Sequence, residues 1–340
     1  MKEKNMPVIQ RITLRNFKSF RHLDSFEMKP INILIGANGS GKSNFLSVFE
    51  LLRAADRQDV NGYVAQKAGA ARFLFNGPTV SKAMAVELDY GSFSWTSTFS
   101  LAEGNRFDIN QAFRSNIPEG NDDVLSTNLE PIAYHFGNTD WTSPARLSTS
   151  DANDIDYLKK DGGNLAAYLL WLKDKHRAHF DVILNTIQLV APFILDIDPR
   201  PLRGNERFVE LHWRQSGMED DLFAYHLSDG TLRFICLATL LLQPEPPSLI
   251  IIDEPELGLH PHAITILSGM LKAASEKCQI ILATQSELLI SEFEPEDVVV
   301  VEQGDEGTTC KRLNASQLED WLKRYSLGEL WQKNVLGGCA

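Results

Sequence analysis

The stretch Ile31-Asn32-Ile33-Leu34-Ile35-Gly36-Ala37-Asn38-Gly39-Ser40-Gly41-Lys42-Ser43 sets the architecture of this chain. It begins as a short apolar run of strand type and ends in G-x-x-x-x-G-K-[ST], the spacing of a phosphate-binding loop. An amphipathic stretch, 44–53, follows, so the loop lies between a strand and a helix, the context the motif requires. Glycines let backbone N–H groups curl around phosphate oxygens, and the helix N-terminus adds the positive end of its dipole. Lys42 is then placed to bridge β- and γ-phosphates, and Ser43 to ligate Mg²⁺. The nucleotide-contacting set on this reading is Gly36, Asn38, Gly39, Gly41, Lys42, Ser43 and Asn44.

Leu249, Ile250, Ile251 and Ile252 form a second continuous apolar run, of the type buried on both faces of a parallel sheet, and deliver Asp253 and Glu254 at its carboxyl end. Ligands bind at that end of the strands in open α/β sheets. Adjacent carboxylates there suit divided work: Asp253 holds the Mg²⁺ hydration shell, and Glu254, on the opposite side, orients or deprotonates an attacking water. The bland alternative is that Asp-Glu-Pro merely ends a strand, and a phosphate loop in the same chain weighs against it. The apolar run 279–283 repeats the pattern after a helical stretch at 263–272, a crossover that demands parallel pairing. The fold class is therefore α/β.

An antiparallel lobe joins this core. Val86, Leu88 and Tyr90 alternate with polar residues, Gly91-Ser92 turns the chain, and Phe93, Trp95, Phe99 and Leu101 fall on alternate positions. Residues 104–131 are rich in Asn, Asp, Gly and Ser without a clear period and read mainly as loop. Residues 132–136 look like a further strand. Asn164 stands where it caps a helix with the face Leu165, Tyr168, Leu169 and Leu172, and a second helical face follows with Phe180, Ile183, Leu184, Ile187 and Val190. Val209, Leu211 and Trp213 alternate with polar residues as one more strand, and 231–242 is helical until Pro244 breaks it. The chain divides on this reading into 1–160, with the phosphate loop and antiparallel lobe, a helical insertion at 161–200, and 201–340.

The 340 residues are 43% hydrophobic and 23% charged, the composition of a globular enzyme with a sizeable core. A net charge of -12 argues against a body basic enough to hold nucleic acid by phosphate neutralisation, and leaves nucleic acid open only through a local basic groove. Cys236, Cys278, Cys310 and Cys339 include no C-x-x-C pair, so neither a zinc site nor a disulfide framework is indicated, and a reducing cytoplasm fits. The most apolar stretch, 234–242, falls far short of the ~20 residues of a membrane span, and 1–10 carry no signal-like run. No membrane partner is expected.

Three further segments occur in the order found in one family. Leu227-Ser228-Asp229-Gly230-Thr231 resembles the signature sequence of ABC-type ATPases of the SMC, Rad50 and RecF-like branch. Asp253-Glu254-Pro255-Glu256-Leu257-Gly258-Leu259-His260-Pro261 is similar to the segment carrying that group's catalytic glutamate, and Leu14-Arg15-Asn16-Phe17-Lys18-Ser19-Phe20 to its first strand and turn. The resemblance covers essentially the whole chain and is closest to the compact AAA_21 class, which lacks a long coiled coil. Tyr134-His135-Phe136 and Ser326-Leu327-Gly328-Glu329-Leu330-Trp331 also look like segments of that class, with no chemistry attached.

This resemblance implies an ABC-type ATPase head: a parallel nucleotide-binding core sheet, an antiparallel β lobe and a short helical insertion. It implies ATP and Mg²⁺ as ligands, with Ser228 and Gly230 completing the site of a second copy, hence a homodimer or higher homo-oligomer. It also carries Lys18 to the nucleotide. Many members have a switch histidine after the strand that follows the catalytic pair, where this chain has Ala283-Thr284-Gln285-Ser286. Gln285 hydrogen-bonds a γ-phosphate or water but does not share a proton as imidazole does, which implies slow hydrolysis or nucleotide sensing. The alternative there is a capping turn with Ser286 as cap. With Glu254 and Lys42, Gln285 completes the catalytic set, and Gln66 is the candidate for the family's glutamine loop.

The implied activity is ATP hydrolysis in a molecular switch that ATP closes and hydrolysis reopens. Compact relatives are often encoded beside a separate effector in bacterial defence or toxin systems, which implies a separately encoded protein partner such as a nuclease or toxin. A DNA-associated repair or maintenance ATPase of the RecF/SMC type is the alternative. A nuclease fits less well, since the acidic residues after Ala283 read as a solvated surface rather than a metal-binding domain. A transporter motor also fits poorly, given the opening 16–20 and the long variable middle.

Overall fold

The computed structural model describes residues 8–115, 132–134, 136, 143–147 and 149–338. In chain order the elements are β1 (Arg11–Phe17), β2 (Phe20–Glu27), β3 (Ile31–Ile35), α1 (Lys42–Asp56), α2 (Val60–Gln66), β4 (Ala83–Asp89), β5 (Phe93–Ala102), β6 (Arg106–Ser115) and β7 (Ile132–Tyr134). Then come β8 (Thr149–Asp151), α3 (Leu165–Lys175), α4 (Arg177–Val190), β9 (Ile194–Leu202), β10 (Asn205–Gln215), β11 (Leu222–Phe223) and α5 (Asp229–Leu242). The remainder are β12 (Leu249–Asp253), α6 (Pro261–Ser275), β13 (Gln279–Ala283), α7 (Glu287–Ser291), β14 (Val298–Gly304), β15 (Gly307–Arg312), α8 (Ala315–Leu322) and α9 (Leu327–Gln332). They fall into two compact units, one of Met1–Ala133, Pro247–Asp253 and Cys278–Ala340, the other of Tyr134–Pro246 and Glu254–Lys277.

The first unit carries two sheets. One has the order β2-β1-β4-β5-β6, with every neighbour antiparallel. The other has the order β15-β14-β3-β13-β12-β7, in which β14, β3, β13 and β12 run parallel and β15 returns antiparallel on β14. Parallel strands need cover on both faces, and β3 and β13 are buried at every position. Helix α1 supplies part of that cover. Its Phe45, Val48, Phe49 and Leu51 share one apolar cluster with Ile12, Leu14 and Phe20 of the antiparallel sheet and with Leu34, Ile251 and Ile281 of the parallel one. Each such side chain contributes about 1.5–3 kcal/mol by leaving water, so the cluster fixes where α1 begins. The registers Asp253↔Ala283 and Ala283↔Leu34 bring the carboxyl ends of β12, β13 and β3 level.

The loop expected over 104–131 is corrected at 106–115. These residues form β6, paired with β5 from Phe93↔Ser115 to Ala102↔Arg106. Only Phe107 of the ten is buried. An edge strand wetted on both faces lacks the alternation of a half-buried one, and its partner makes it a strand. Residues 116–131 lie outside the described residues, as does His135, whereas Tyr134 and Phe136 are buried.

The second unit is built on β10, which pairs antiparallel with β9, β8 and β11. Val209, Leu211 and Trp213 are buried as their alternation predicts. Pro199 and Pro201 lie in β9, where missing donors restrict a strand to special positions and hide its signature in the sequence. Helix α3 packs on β8, β9 and β10, and α4 on α5 and α6. Leu165, Tyr168, Leu169 and Leu172 of α3 are buried, as are Phe180, Ile183 and Ile187 of α4. Asn164 stands at the N-cap of α3 but its side chain does not cap it. Its amide accepts from Lys159 N–H and donates to the Asp154 and Tyr157 carbonyls, each at 2.8 Å, so the preceding turn satisfies this buried group. Among the described residues no helix is long and apolar enough to cross a membrane.

Candidate nucleotide site

β3 delivers the chain at Ile35 into the turn that starts α1. At Gly36 a Cβ would lie 2.3 Å from the Val301 carbonyl oxygen, so β14 leaves no room for any other residue. Gly41 occupies the N-cap of α1 at φ 113, and neither a side-chain cap nor an acidic residue stands in the first turn. The positive end of the helix dipole therefore opens on the loop. Lys42 is buried, and its Nζ donates to the carbonyls of Gly36 at 2.6 Å and Ala37 at 2.9 Å, which holds the ammonium over the turn.

Ser43 Oγ lies 3.4 Å from Asp253 Oδ2, joining the first turn of α1 to the end of β12. Gln285 Nε2 donates to Asn38 Oδ1 at 2.9 Å, joining the end of β13 to the tip of the loop beside the exposed Gly39. Ser286 caps α7 by accepting from Leu289 N–H at 3.2 Å, and its own N–H donates to Thr284 Oγ1 at 2.9 Å. The capping turn and the contact to the loop thus coexist. Asn44 Nδ2 donates to Ser19 Oγ at 2.8 Å. Lys18 reaches α1 as well, donating to Ser47 Oγ at 2.7 Å, one turn beyond Ser43, with its Nζ 4.9 Å from the Phe73 ring centre. Burial pushes the Lys18 ammonium down to about 8, with Glu50 opposing the shift and Lys67 adding to it. Gln66 is exposed at the end of α2.

Thr308 belongs to this assembly and has no signal in the sequence. It is 1% exposed in β15, donates to the Ser40 carbonyl at 3.0 Å, and lies 2.8 Å from the Gln303 side-chain amide. A depression of about 470 Å³ beside the loop tip is lined by Asn38, Ser40, Glu302, Gln303 and Gly338, among others.

In the second unit, Ser228 is exposed at the N-cap of α5, its Oγ accepting from Thr231 N–H at 3.2 Å. Gly230 follows in the first turn, and a Cβ there would stand 2.4 Å from the Gly258 carbonyl oxygen. Arg146, which sequence reasoning missed, organises this corner. Its buried guanidinium donates to the carbonyls of Tyr225 at 3.1 Å and Leu227 at 2.8 Å, and to Asp229 Oδ1 at 2.5 Å. No local pattern marks it, because its partners lie about eighty positions away. Glu254 adopts φ 47, a left-handed conformation that costs a non-glycine residue of order 1 kcal/mol and is typical of functional positions.

Mg²⁺ takes one or two protein oxygens and completes its octahedron with substrate phosphates and water. Ser43 Oγ and Asp253 Oδ2 are hard oxygen donors 3.4 Å apart beside the loop, and they fit an Mg²⁺-bound nucleotide.

A family model, AAA_21, described as "AAA domain, putative AbiEii toxin, Type IV TA system", matches residues 31–291. That span runs from β3 to α7 and contains every site residue expected from the sequence except Lys18. No curated protein matches the chain. Among solved structures, an SMC head bound to the C-winged helix domain of ScpA is similar at a TM-score of 0.64 and 16% identity, over 92% of this chain and 100% of that one. An SMC head with an extended coiled coil, bound to the C-terminal domain of ScpA derived from Pyrococcus furiosus, is similar at a TM-score of 0.59 and 16% identity, over 94% and 99%. The SMC head domain from Thermotoga maritima is similar at a TM-score of 0.50 and 15% identity, over 90% and 99%. At such identities the likeness concerns the fold. The chain belongs to the AAA_21 family, and its fold is that of an ABC-type ATPase head of the SMC/Rad50-like branch.

Proposed function

We propose that this protein is an ATP-hydrolysing switch in which two copies close head to tail around two ATP and reopen on hydrolysis. The observation that carries this reading is the 3.4 Å approach of Ser43 Oγ to Asp253 Oδ2 at the mouth of a glycine loop that also holds Lys42. Lys42 and the amides at the start of α1 bind the phosphates. Mg²⁺, held through Ser43 and Asp253, neutralises charge on the phosphate oxygens when bound. Glu254 orients the attacking water and takes its proton, and Gln285 senses the terminal phosphate from beside Asn38.

Ser228 supports the second copy in this scheme. It lies exposed at the start of the fourteen-residue α5, where a hydroxyl and the first backbone amides of a helix suit a phosphate presented from another molecule. Phosphoryl transfer depends mainly on positioning and charge stabilisation, so a site completed only by dimer closure couples turnover to assembly. The partner is a separately encoded effector protein. The family description names a toxin and a toxin–antitoxin system, and the similar SMC heads are described with a bound protein, ScpA. A net charge of -12 favours a protein over nucleic acid as that partner.

Light scattering with ATP and Mg²⁺, on wild type and Glu254→Gln, tests the switch. The mass should grow with ATP and stay high in the variant, which binds but does not hydrolyse. A mass indifferent to nucleotide in both proteins would overturn the switch.

A further inference from the structure

The segment Ser326-Leu327-Gly328-Glu329-Leu330-Trp331 has no assigned chemistry, yet with the residues that follow it to Gly338 it lies against the supports of the nucleotide loop on two sides. One side is the helix behind Gln285. Gln285 contacts Asn38 and directly precedes Ser286, the cap of α7. With five residues, α7 is too short to hold itself, and α9 holds it. A Cβ on Gly328 would stand 2.2 Å from the Glu287 carbonyl oxygen, so the two helices meet backbone to backbone. The Gly328 N–H donates to Ser291 Oγ at 3.1 Å, and that hydroxyl donates to the Glu287 carbonyl at 2.7 Å. A reciprocal capping box between Ser326 and Glu329 fixes where α9 starts.

The other side is the first glycine of the loop. A Cβ on Gly338 would stand 3.3 Å from Gly36 Cα and 2.9 Å from Val300 Cγ1. The Gly338 N–H donates to Glu302 Oε1 at 2.7 Å. Trp331 of α9 is buried, and its Nε1 lies 3.9 Å from the same Cβ position, which places Gly338 beside α9.

We propose that residues 326–338 form a positioning strap for nucleotide turnover: Gly328 sets Gln285 through α7, and Gly338 sets Gly36. Neither glycine belongs to the catalytic set, so each acts through the residue it supports. Moving Gly328 displaces Gln285 and slows turnover. Moving Gly338 disturbs the phosphate loop and weakens ATP binding. The strap rests on the ATP-hydrolysing reading of the site.

The test measures ATP turnover, affinity for a fluorescent ATP analogue and melting temperature for Gly328→Ala, Ser291→Ala, Gln285→Ala, Gly338→Val and the double variant Gln285→Ala/Gly328→Ala. Gly328→Ala should lower kcat on the order of tenfold to a hundredfold, the scale of a misplaced catalytic group, with affinity unchanged. The double variant should be no slower than Gln285→Ala, because coupled residues are not additive. Gly338→Val should weaken ATP binding several-fold. Wild-type turnover in Gly328→Ala, or a further tenfold loss in the double variant, would overturn the first arm, and unchanged affinity in Gly338→Val the second. Where Gly328→Ala melts early, Ser291→Ala decides the first arm, since it removes the acceptor without adding bulk. A wild type that binds ATP without hydrolysing it would sink the activity but leave the Gly338 arm to be read by affinity alone.

Discussion

The guanidinium of Arg146 donates to the carbonyl of Leu227 at 2.8 Å, the residue directly before Ser228, and thereby fixes the turn that presents Ser228. The same side chain holds Tyr225 and Asp229, so one buried cation spans the turn from both sides. Arg146→Ala leaves these carbonyls short of a donor and should cost about 1–3 kcal/mol of stability. It should also abolish the ATP-dependent rise in mass while monomer affinity for ATP is retained. Arg146→Lys should rescue little, because an ammonium lacks the planar fork. ATP-driven assembly at the wild-type level in Arg146→Ala would show that the turn holds without it.

Gly230 lies so close to Gly258 that a methyl group at this position displaces the segment after Glu254. Gly230→Ala should cost about 1–3 kcal/mol through overpacking. Hydrolysis should fall further than melting temperature suggests, with ATP affinity retained. Matched losses of affinity and turnover would point instead to a general loosening of the protein.

Asp253 contributes a carboxylate at the end of β12, 3.4 Å from Ser43. Asp253→Asn keeps shape and removes charge. The Mg²⁺ concentration for half-maximal turnover should rise at least about tenfold, the scale seen when a metal's surroundings lose one oxygen partner. Ser43→Ala should act in the same direction. A Mg²⁺ titration that superimposes on wild type would remove Asp253 from the metal site.

Lys18 is held down to about 8 chiefly by burial. An exposed lysine titrates near about 10.4. Between about pH 8 and about pH 10 the unfolded chain keeps a proton here that the folded chain has lost, so stability from this group rises with pH across that window. Wild type should therefore gain on Lys18→Met from pH 8 to pH 10 in paired urea denaturations. Curves that stay parallel would mean that Lys18 titrates as an ordinary lysine.

Elements legible in the sequence share one property: their structure is set by neighbours along the chain. Gly36 to Ser43 read as a phosphate loop because the turn is made by its own backbone between its own strand and helix. β12 and β13 read as parallel because each carries a continuous apolar run and a helix separates them. Ser286 reads as a helix start because a cap bonds to an amide three residues on. β6 was illegible, since it is a strand only by virtue of β5, and so was β9 with its two prolines.

The sequence by itself determined the phosphate loop, the carboxylates at the end of an apolar strand, and the α/β class, because each rests on local backbone geometry and on a hydrophobic period. Only the tertiary structure decided what braces them: Thr308 on Ser40, Arg146 on Leu227, Lys18 on Ser47, Gln285 on Asn38 and Gly338 on Gly36. These contacts join residues far apart in the chain, often through a backbone carbonyl or a missing Cβ. A carbonyl is the same in every residue and a glycine gives no sign of what lies against it, so the partner exists only once the chain has folded.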